Sequence, residues 1–220
     1  MLDDKWKPDS AMAELSRFWD NIADKYASQP VADEDAYQTK LKVTRTYFTP
    51  ESEVLEFGCG TGSTAIAHAP FVKHIRAIDF SARMLEIARS KAEAAGTANV
   101  TFERADIIAL DAADGSFDAV LGLSVLHLLK NRDEVIAKVY RLLKPGGVFV
   151  TSTACLGDTM PMRLFGAIAP IGRAFGLLPQ INVMTHESLL RAFTDAGFDI
   201  VHNWRPGKGK AVFVIGRKPG

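Results

Sequence analysis

Two cysteines in 220 residues are too few for a disulfide framework. Cys59 and Cys155 stand far apart and in no metal or redox spacing, which fits a reducing compartment, so a cytoplasmic protein is expected. Long apolar runs are missing as well. Residues 119–129 form the longest, broken by Ser124 and His127, well short of the roughly 20 residues a spanning helix needs. Met1-Leu2-Asp3-Asp4-Lys5 lacks the basic-then-apolar order of a signal peptide. No charge of either sign dominates: 26 basic residues balance 26 acidic ones, so no bulk field draws nucleic acid or an anionic membrane. Cys/His metal spacing, internal repeats and low-complexity tracts are absent too, so no metal is expected. What remains is a globular composition, 47% hydrophobic and 24% charged, in a chain long enough for one domain, residues 1–220, with a substantial core.

Residues 10–27 and 34–48 place apolar side chains at helical spacing. Leu15, Phe18, Trp19, Ile22 and Tyr26 share one face of the first segment, and Tyr37 and Leu41 one face of the second. Residues 1–50 therefore read as a helical cap. From Glu53 short apolar runs alternate with helices. Strands are expected at 54–57, 74–79, 100–104, 119–122 and 148–153, and helices at 63–69, 82–95 and 132–143. Ser81 suits an N-cap, and Gly96 and Pro145-Gly146-Gly147 suit helix stops. Alternation of this kind implies parallel pairing with right-handed crossovers, hence a doubly wound α/β sheet over residues 51–155. Residues 156–185 break the rhythm with apolar stretches interrupted by proline and glycine, and read as a lid insertion after the fifth strand. A helix from His186 to Ala196, capped by Thr185, and two strands around Pro206-Gly207-Lys208-Gly209 complete residues 186–220.

Chemistry concentrates in Glu56-Phe57-Gly58-Cys59-Gly60-Thr61-Gly62, where a buried strand meets three glycines and then a helix. Glycine allows the tight turn and the close approach of a ligand to the backbone, and amides at the helix start favour polar or anionic ligand atoms. Asp79 ends the second strand 21 residues after Gly58, where a carboxylate can accept ribose hydroxyls. Dinucleotide binding shares these features. Two details separate the readings: Ser63 stands where a dinucleotide turn has its third glycine, and Glu56 ends the first strand with a carboxylate.

At these residues the chain resembles the class I S-adenosylmethionine-dependent methyltransferases, in the style of the type 11 small-molecule group. The likeness continues in order through Asp79-Phe80-Ser81-Ala82-Arg83-Met84, Ala105-Asp106-Ile107, Phe117-Asp118-Ala119-Val120 and Leu142-Leu143-Lys144-Pro145-Gly146-Gly147. The resemblance implies a Rossmann-like sheet of seven strands with the last antiparallel. It implies S-adenosylmethionine as methyl donor, with S-adenosylhomocysteine as product. Glu56, Gly58, Cys59, Gly60, Thr61 and Gly62 would form the turn around its methionine part, and Asp79 would bind the ribose. Phe80 and Met84 would flank the adenine, whose amino group Asp106 and Ile107 would hold. Residues 18–26 look like a cap helix over the donor, with Tyr26, and less so Tyr37, reaching its carboxylate. The carboxyl end of the fourth strand faces the ligand crevice of such sheets, so the backbone of Leu123 or Ser124 is expected at the donor's amino group.

His127 is a weak candidate for a general base. Methyl transfer from a sulfonium is an in-line displacement that depends mainly on alignment, so the lack of a catalytic triad is no objection. The acceptor must be read from residues 156–185, where Met160, Met162, Phe165 and Phe175 would give an adaptable apolar lid and Arg163 and Arg173 could meet an acidic group. A small, apolar acceptor is expected, with no nucleic-acid partner, transient contact with a membrane surface as an option, and a monomer or homodimer. The alternatives are an RNA or protein methyltransferase, a non-catalytic donor-binding protein of the same fold, and an NAD-dependent oxidoreductase.

Overall fold

The computed structural model describes residue 8, residues 10–158 and residues 181–220. Among these, seven strands lie in one sheet in the order β3-β2-β1-β4-β5-β7-β6. Cα proximity divides the chain into two compact units, Met1–Asp111 with Phe117–Ala119, and Ala112–Ser116 with Val120–Gly220.

In the first unit β1 (Glu53–Phe57), β2 (His74–Asp79) and β3 (Val100–Arg104) pair in parallel, with Phe57 beside Ile78 and Asp79 beside Arg104. Parallel neighbours cannot be joined by a hairpin. The crossovers are α3 (Ser63–His68) with a 3-10 turn at Ala69–Phe71, and α4 (Ala82–Ala94). Val54, Leu55, Ile75, Ala77 and Ile78 are buried, as expected of strands covered on both faces. Ser81 caps α4 by accepting from the Met84 amide at 3.2 Å.

Ahead of the sheet come α1 (Ser10–Ser28) and α2 (Glu34–Arg45). Three features here depart from the sequence reading. The expected second helix ends three residues early, because the amides of Thr46, Tyr47 and Phe48 bond to carbonyls three residues back and tighten the last turn. On α1 the buried residues are Ser16 and Ala23. Leu15, Phe18, Trp19 and Ile22 are only half-buried and Tyr26 is exposed. Polar bonds also tie α1 to the start of α4, where the Ser81 hydroxyl and the Arg83 amide donate to Asp20.

In the second unit β5 (Leu143–Thr153) and β6 (Asp199–Trp204) both pair antiparallel with β7 (Val212–Arg217), so the last strand runs against its neighbours as expected. The fourth strand, β4 (Phe117–Leu123), extends beyond the expected 119–122. α5 (Arg132–Leu142) ends at Leu142, and Pro145-Gly146-Gly147, expected as the turn that stops this helix, belongs to β5. The reason is a distant partner: the Gly146 amide donates to the Lys218 carbonyl and the Lys218 amide to the Gly147 carbonyl, each at 2.9 Å, which continues the ladder past β7. α6 (His186–Asp195) opens with a capping box between Thr185 and Ser188. Its Phe193 stacks on Phe149 at 5.0 Å. The expected lid falls mostly on residues 159–180, and Met160, Met162, Arg163, Phe165, Arg173 and Phe175 lie outside the described residues. Among the described residues no helix is long and apolar enough to cross a membrane.

Candidate functional site

β1 delivers Glu56 and Phe57 directly into the glycine turn. Gly58, Gly60 and Gly62 hold φ of +62°, +53° and +73°, in the left-handed region that only glycine adopts freely. The turn satisfies its own amides. Cys59 N–H donates to the Ile78 carbonyl at 3.1 Å, Gly62 N–H to the Cys59 carbonyl at 3.0 Å, and Gly60 N–H to Asp79 Oδ2 at 2.9 Å. A carboxylate of the chain itself thus occupies the position an anionic ligand would take. The amides at the start of α3, expected to favour polar or anionic ligand atoms, are a separate set, and no side chain caps them from the N-cap Gly62.

The two flanking glycines serve different ends. A Cβ on Gly62 would lie 2.8 Å from the Ala88 Cβ and 2.9 Å from the Phe102 ring, so its bareness is needed for packing. A Cβ on Gly60 would meet nothing nearer than Tyr26 Cε1 at 4.0 Å. That side of Gly60 is open to a ligand.

Two buried carboxylates flank the turn. Asp79 is held above the usual carboxylate range by burial, opposed by the amides of Ser81, Gly60 and Phe80. Ser81 N–H donates to its Oδ1 at 2.9 Å. A carboxylate offers about four acceptor sites, so room for a hydroxyl donor remains. Glu56 is 3% exposed, and its Oε2 has no hydrogen-bond partner among the described residues. Burial, and then the charge of Asp79, push its carboxyl up to about 8. The same burial and the same two carboxylates push the Cys59 thiol up, which keeps it protonated. A site of this kind favours a cation and opposes a phosphate.

The cap helices supply tyrosines to this turn. Tyr26, on α1, lies over Gly60 and is held above its ordinary range by burial and then by Asp79. Tyr37, on α2, sits 3.4 Å from the Thr64 hydroxyl and is raised chiefly by burial, with Glu56 among the nearby charges.

The remaining expected residues of this unit are placed as follows. The Thr61 hydroxyl accepts from Lys91 Nζ at 3.0 Å. Phe80 is half-buried, and Met84 and Ile107 are buried. Asp106 Oδ1 accepts from the Ile108 amide at 2.8 Å and the Ala109 amide at 3.3 Å, a local turn that fixes the segment after β3. Sequence reasoning missed Ser16, Asp20, Arg104 and Lys91. The bonds that tie them to other elements span 24 to 88 residues, so no local signal marks them.

In the second unit, Leu123 ends β4 and Ser124 follows it with a φ of +57°, the only non-glycine in that region among the described residues. Such strain clusters at functional sites. The Ser124 amide donates to the Ser152 carbonyl at 2.6 Å. His127 sits in the 3-10 turn Leu126–Leu128, its Nδ1 buried and without a partner among the described residues. Burial lowers its pKa, which leaves a neutral imidazole at pH 7. The Asn182 amide donates to the His127 carbonyl at 2.6 Å, which ties the last part of the expected 156–185 insertion to this turn. A cavity of about 510 Å³ between α5 and α6 is lined by Arg132, Thr185, Glu187 and Arg191, among others, and holds none of the residues expected at the site. Four of its charged residues pair within it, Arg132 with Asp133 and Arg191 with Glu187.

Comparison with known proteins finds methyltransferases in both sequence and fold. Residues 54–147 match the methyltransferase domain family. A malonyl-[acyl-carrier protein] O-methyltransferase from Paenibacillus sp. is 29% identical over 69% of this chain and 57% of its own length. A demethylmenaquinone methyltransferase from Lactiplantibacillus plantarum is 28% identical over 81% of this chain and 84% of its own. Several curated relatives are matched over only about half of their length. In fold, the chain is similar to an N-methyltransferase from Bradyrhizobium japonicum in complex with S-adenosyl-L-homocysteine, with a TM-score of 0.70 at 19% identity, over 96% of this chain and 100% of the other. Together these matches support a class I S-adenosylmethionine-dependent methyltransferase.

Proposed function

We propose that this chain transfers the methyl group of S-adenosylmethionine to a small, apolar acceptor. The observation that carries this reading is the pair of buried carboxylates at the glycine turn, with Glu56 Oε2 unpartnered. The donor supplies an electrophilic methyl on a sulfonium and carries an ammonium. The ammonium offers Glu56 the cation it lacks, and the sulfonium gains from the same field. A dinucleotide would bring its pyrophosphate to a turn whose Gly60 amide is already taken by Asp79.

In this reading Glu56, Gly58, Cys59, Gly60, Thr61 and Gly62 hold the methionine part and Tyr26 closes over it. Asp79 holds the ribose. Phe80, Met84, Asp106 and Ile107 bind the adenine, and Leu123 or Ser124 contributes a backbone group. The protein's work is alignment and exclusion of water, worth several kcal/mol in such displacements. Where the acceptor must lose a proton, His127, neutral at pH 7, is the candidate base. A cytoplasmic location, a monomer or homodimer and brief contact with a membrane surface belong to the same reading. The neutral overall charge argues against an RNA substrate, and the apolar composition of residues 156–185 favours a lipophilic acceptor.

Calorimetry with S-adenosylmethionine and with NAD tests the donor: binding of the first and not the second is expected. Asp79→Asn, which removes a charged acceptor, should weaken donor binding about 10- to 100-fold. A screen of methyl transfer to lipophilic phenols, quinols and amines tests the acceptor, and turnover confined to tRNA would overturn the small-molecule reading.

A further inference from the structure

α1 is tied to the donor-binding turn by an unbroken line of hydrogen bonds. Asp20 Oδ1 accepts from the Ser81 hydroxyl at 2.6 Å and from the Arg83 amide at 3.1 Å. Ser81 N–H donates to Asp79 Oδ1 and Gly60 N–H to Asp79 Oδ2, both at 2.9 Å. Asp20 thus connects α1, through Ser81 and Asp79, to the backbone of Gly60. Ser81 is fully buried, so its bond to Asp20 is sheltered from water and hard to replace.

A second set of contacts secures the beginning of the helix. The Ser16 hydroxyl donates to the Phe80 carbonyl at 3.1 Å, and Arg104 bonds to that carbonyl and to Ser16 Oγ, both at 3.0 Å. Six residues after Asp20, about 9 Å along a helix, Tyr26 lies over the open side of Gly60. The Asp24–Arg83 ion pair also joins α1 to α4, at 2.7 Å, but both side chains are well exposed, where such pairs contribute little.

We propose that Asp20 is the latch of this helix, a positioning residue that holds Tyr26 at the glycine turn and sets the rate at which the methyl donor enters and leaves. It acts through Ser81, Arg83 and Asp79. The latch rests on the donor-binding reading above, but its effect on the turn exists without ligand.

The test uses the whole chain with Asp20→Ala, Asp20→Asn and Asp24→Ala. S-adenosylhomocysteine dissociation is followed by stopped flow through the fluorescence of Trp19, which packs edge-on to Tyr26 at 6.3 Å. Loss of three hydrogen bonds, from Ser81, Arg83 and, at 3.3 Å, Ser16, with the Ser81 bond sheltered, should raise the dissociation rate of Asp20→Ala about tenfold or more. The donor KM should rise with it while kcat stays within about twofold. Asp20→Asn keeps an acceptor oxygen and should restore most of the effect, and Asp24→Ala should change the rate less than about twofold. In ligand-free protein, hydrogen exchange at the Gly60 amide should quicken about tenfold in Asp20→Ala while the Leu55 amide is unchanged. Should Asp20→Ala fail to fold, Asp20→Ser, too short to reach both Ser81 and Arg83, is read in the same way. Unchanged dissociation together with unchanged Gly60 exchange overturns the latch. If the unaltered chain binds no S-adenosylhomocysteine, the donor reading fails, and Gly60 exchange alone decides the latch.

Discussion

Glu56 offers the sharpest test, because its burial makes opposite demands on stability and on binding. In the free protein its carboxyl titrates near 8, against an ordinary value of 4.5. At pH 7 roughly nine in ten molecules therefore carry it protonated. Pairing with a cationic ligand requires the ionised form, so binding at pH 7 should release close to one proton, and about half a proton at pH 8. Below pH 8 the affinity should fall about tenfold for each unit of pH, through the cost of about 1.4 kcal/mol per unit for ionising the group first.

Folding shows the reverse sign. The folded pKa lies above the unfolded one, so the stability this group contributes is fully present below pH 4.5 and is lost as pH rises through 8. The loss sums to about 5 kcal/mol at most. Glu56→Gln should abolish both slopes. The variant should be more stable than the parent at pH 8 by up to a few kcal/mol, yet bind S-adenosylmethionine on the order of 10- to 100-fold more weakly there. Calorimetry in two buffers of different ionisation enthalpy counts the protons released, and urea unfolding at pH 5 and pH 8 measures stability. No proton release at pH 7, or an equal pH slope in Glu56→Gln, would refute the assignment.

His68 should give the mirror image in acid. It is fully buried against Phe48 with neither ring nitrogen bonded among the described residues, and burial followed by Arg45 pushes it down to about 3. The folded pKa lies below the unfolded one near 6.5, so stability should fall by up to about 1.4 kcal/mol per unit as pH drops from 6.5 towards 3. In His68→Leu that limb of the urea-stability curve should flatten. Gly62→Ala should destabilise the fold by about 2–4 kcal/mol in thermal unfolding, since its Cβ would strike Ala88 and Phe102 at a left-handed backbone. Gly60→Ala has space for its Cβ and should cost only about 1–2 kcal/mol of backbone strain, while losing donor binding by calorimetry.

The parts of this fold that were legible in the sequence are those whose cause is local. β2 and β3 fall at their expected residues because apolar side chains alternate with polar ones there, Ile75 and Ala77 about Arg76 in β2 and Val100 and Phe102 about Thr101 in β3. The Ser81 cap and the Thr185 cap were legible because a hydroxyl just before an apolar helix has few other uses. The glycine turn was legible because φ above zero cannot be supplied by other residues without strain. The features that were not legible depend on distant partners. Pro145-Gly146-Gly147 reads locally as a turn, and it is Lys218 that holds it in a strand. The stripe on α1 reads locally as aromatic, yet the buried residues are Ser16 and Ala23, because α1 is held by Ser81, Arg83 and Phe80 more than 60 residues on.

The glycine turn itself was legible in position and not in electrostatics. From sequence, three glycines before a helix promise amides for an anion. In the fold, Asp79 takes the Gly60 amide and stands beside Glu56, so the same turn favours a cation. Each element of that arrangement works against stability: left-handed backbone in close succession, two carboxyl groups buried side by side, and an unpartnered buried oxygen. A sequence selected for stability alone would place an apolar residue at position 56 of β1, where Val54, Leu55 and Phe57 are already buried. The carboxylate that interrupts this run is explained by a ligand that brings the missing charge, and the stability it removes from the free chain returns on binding.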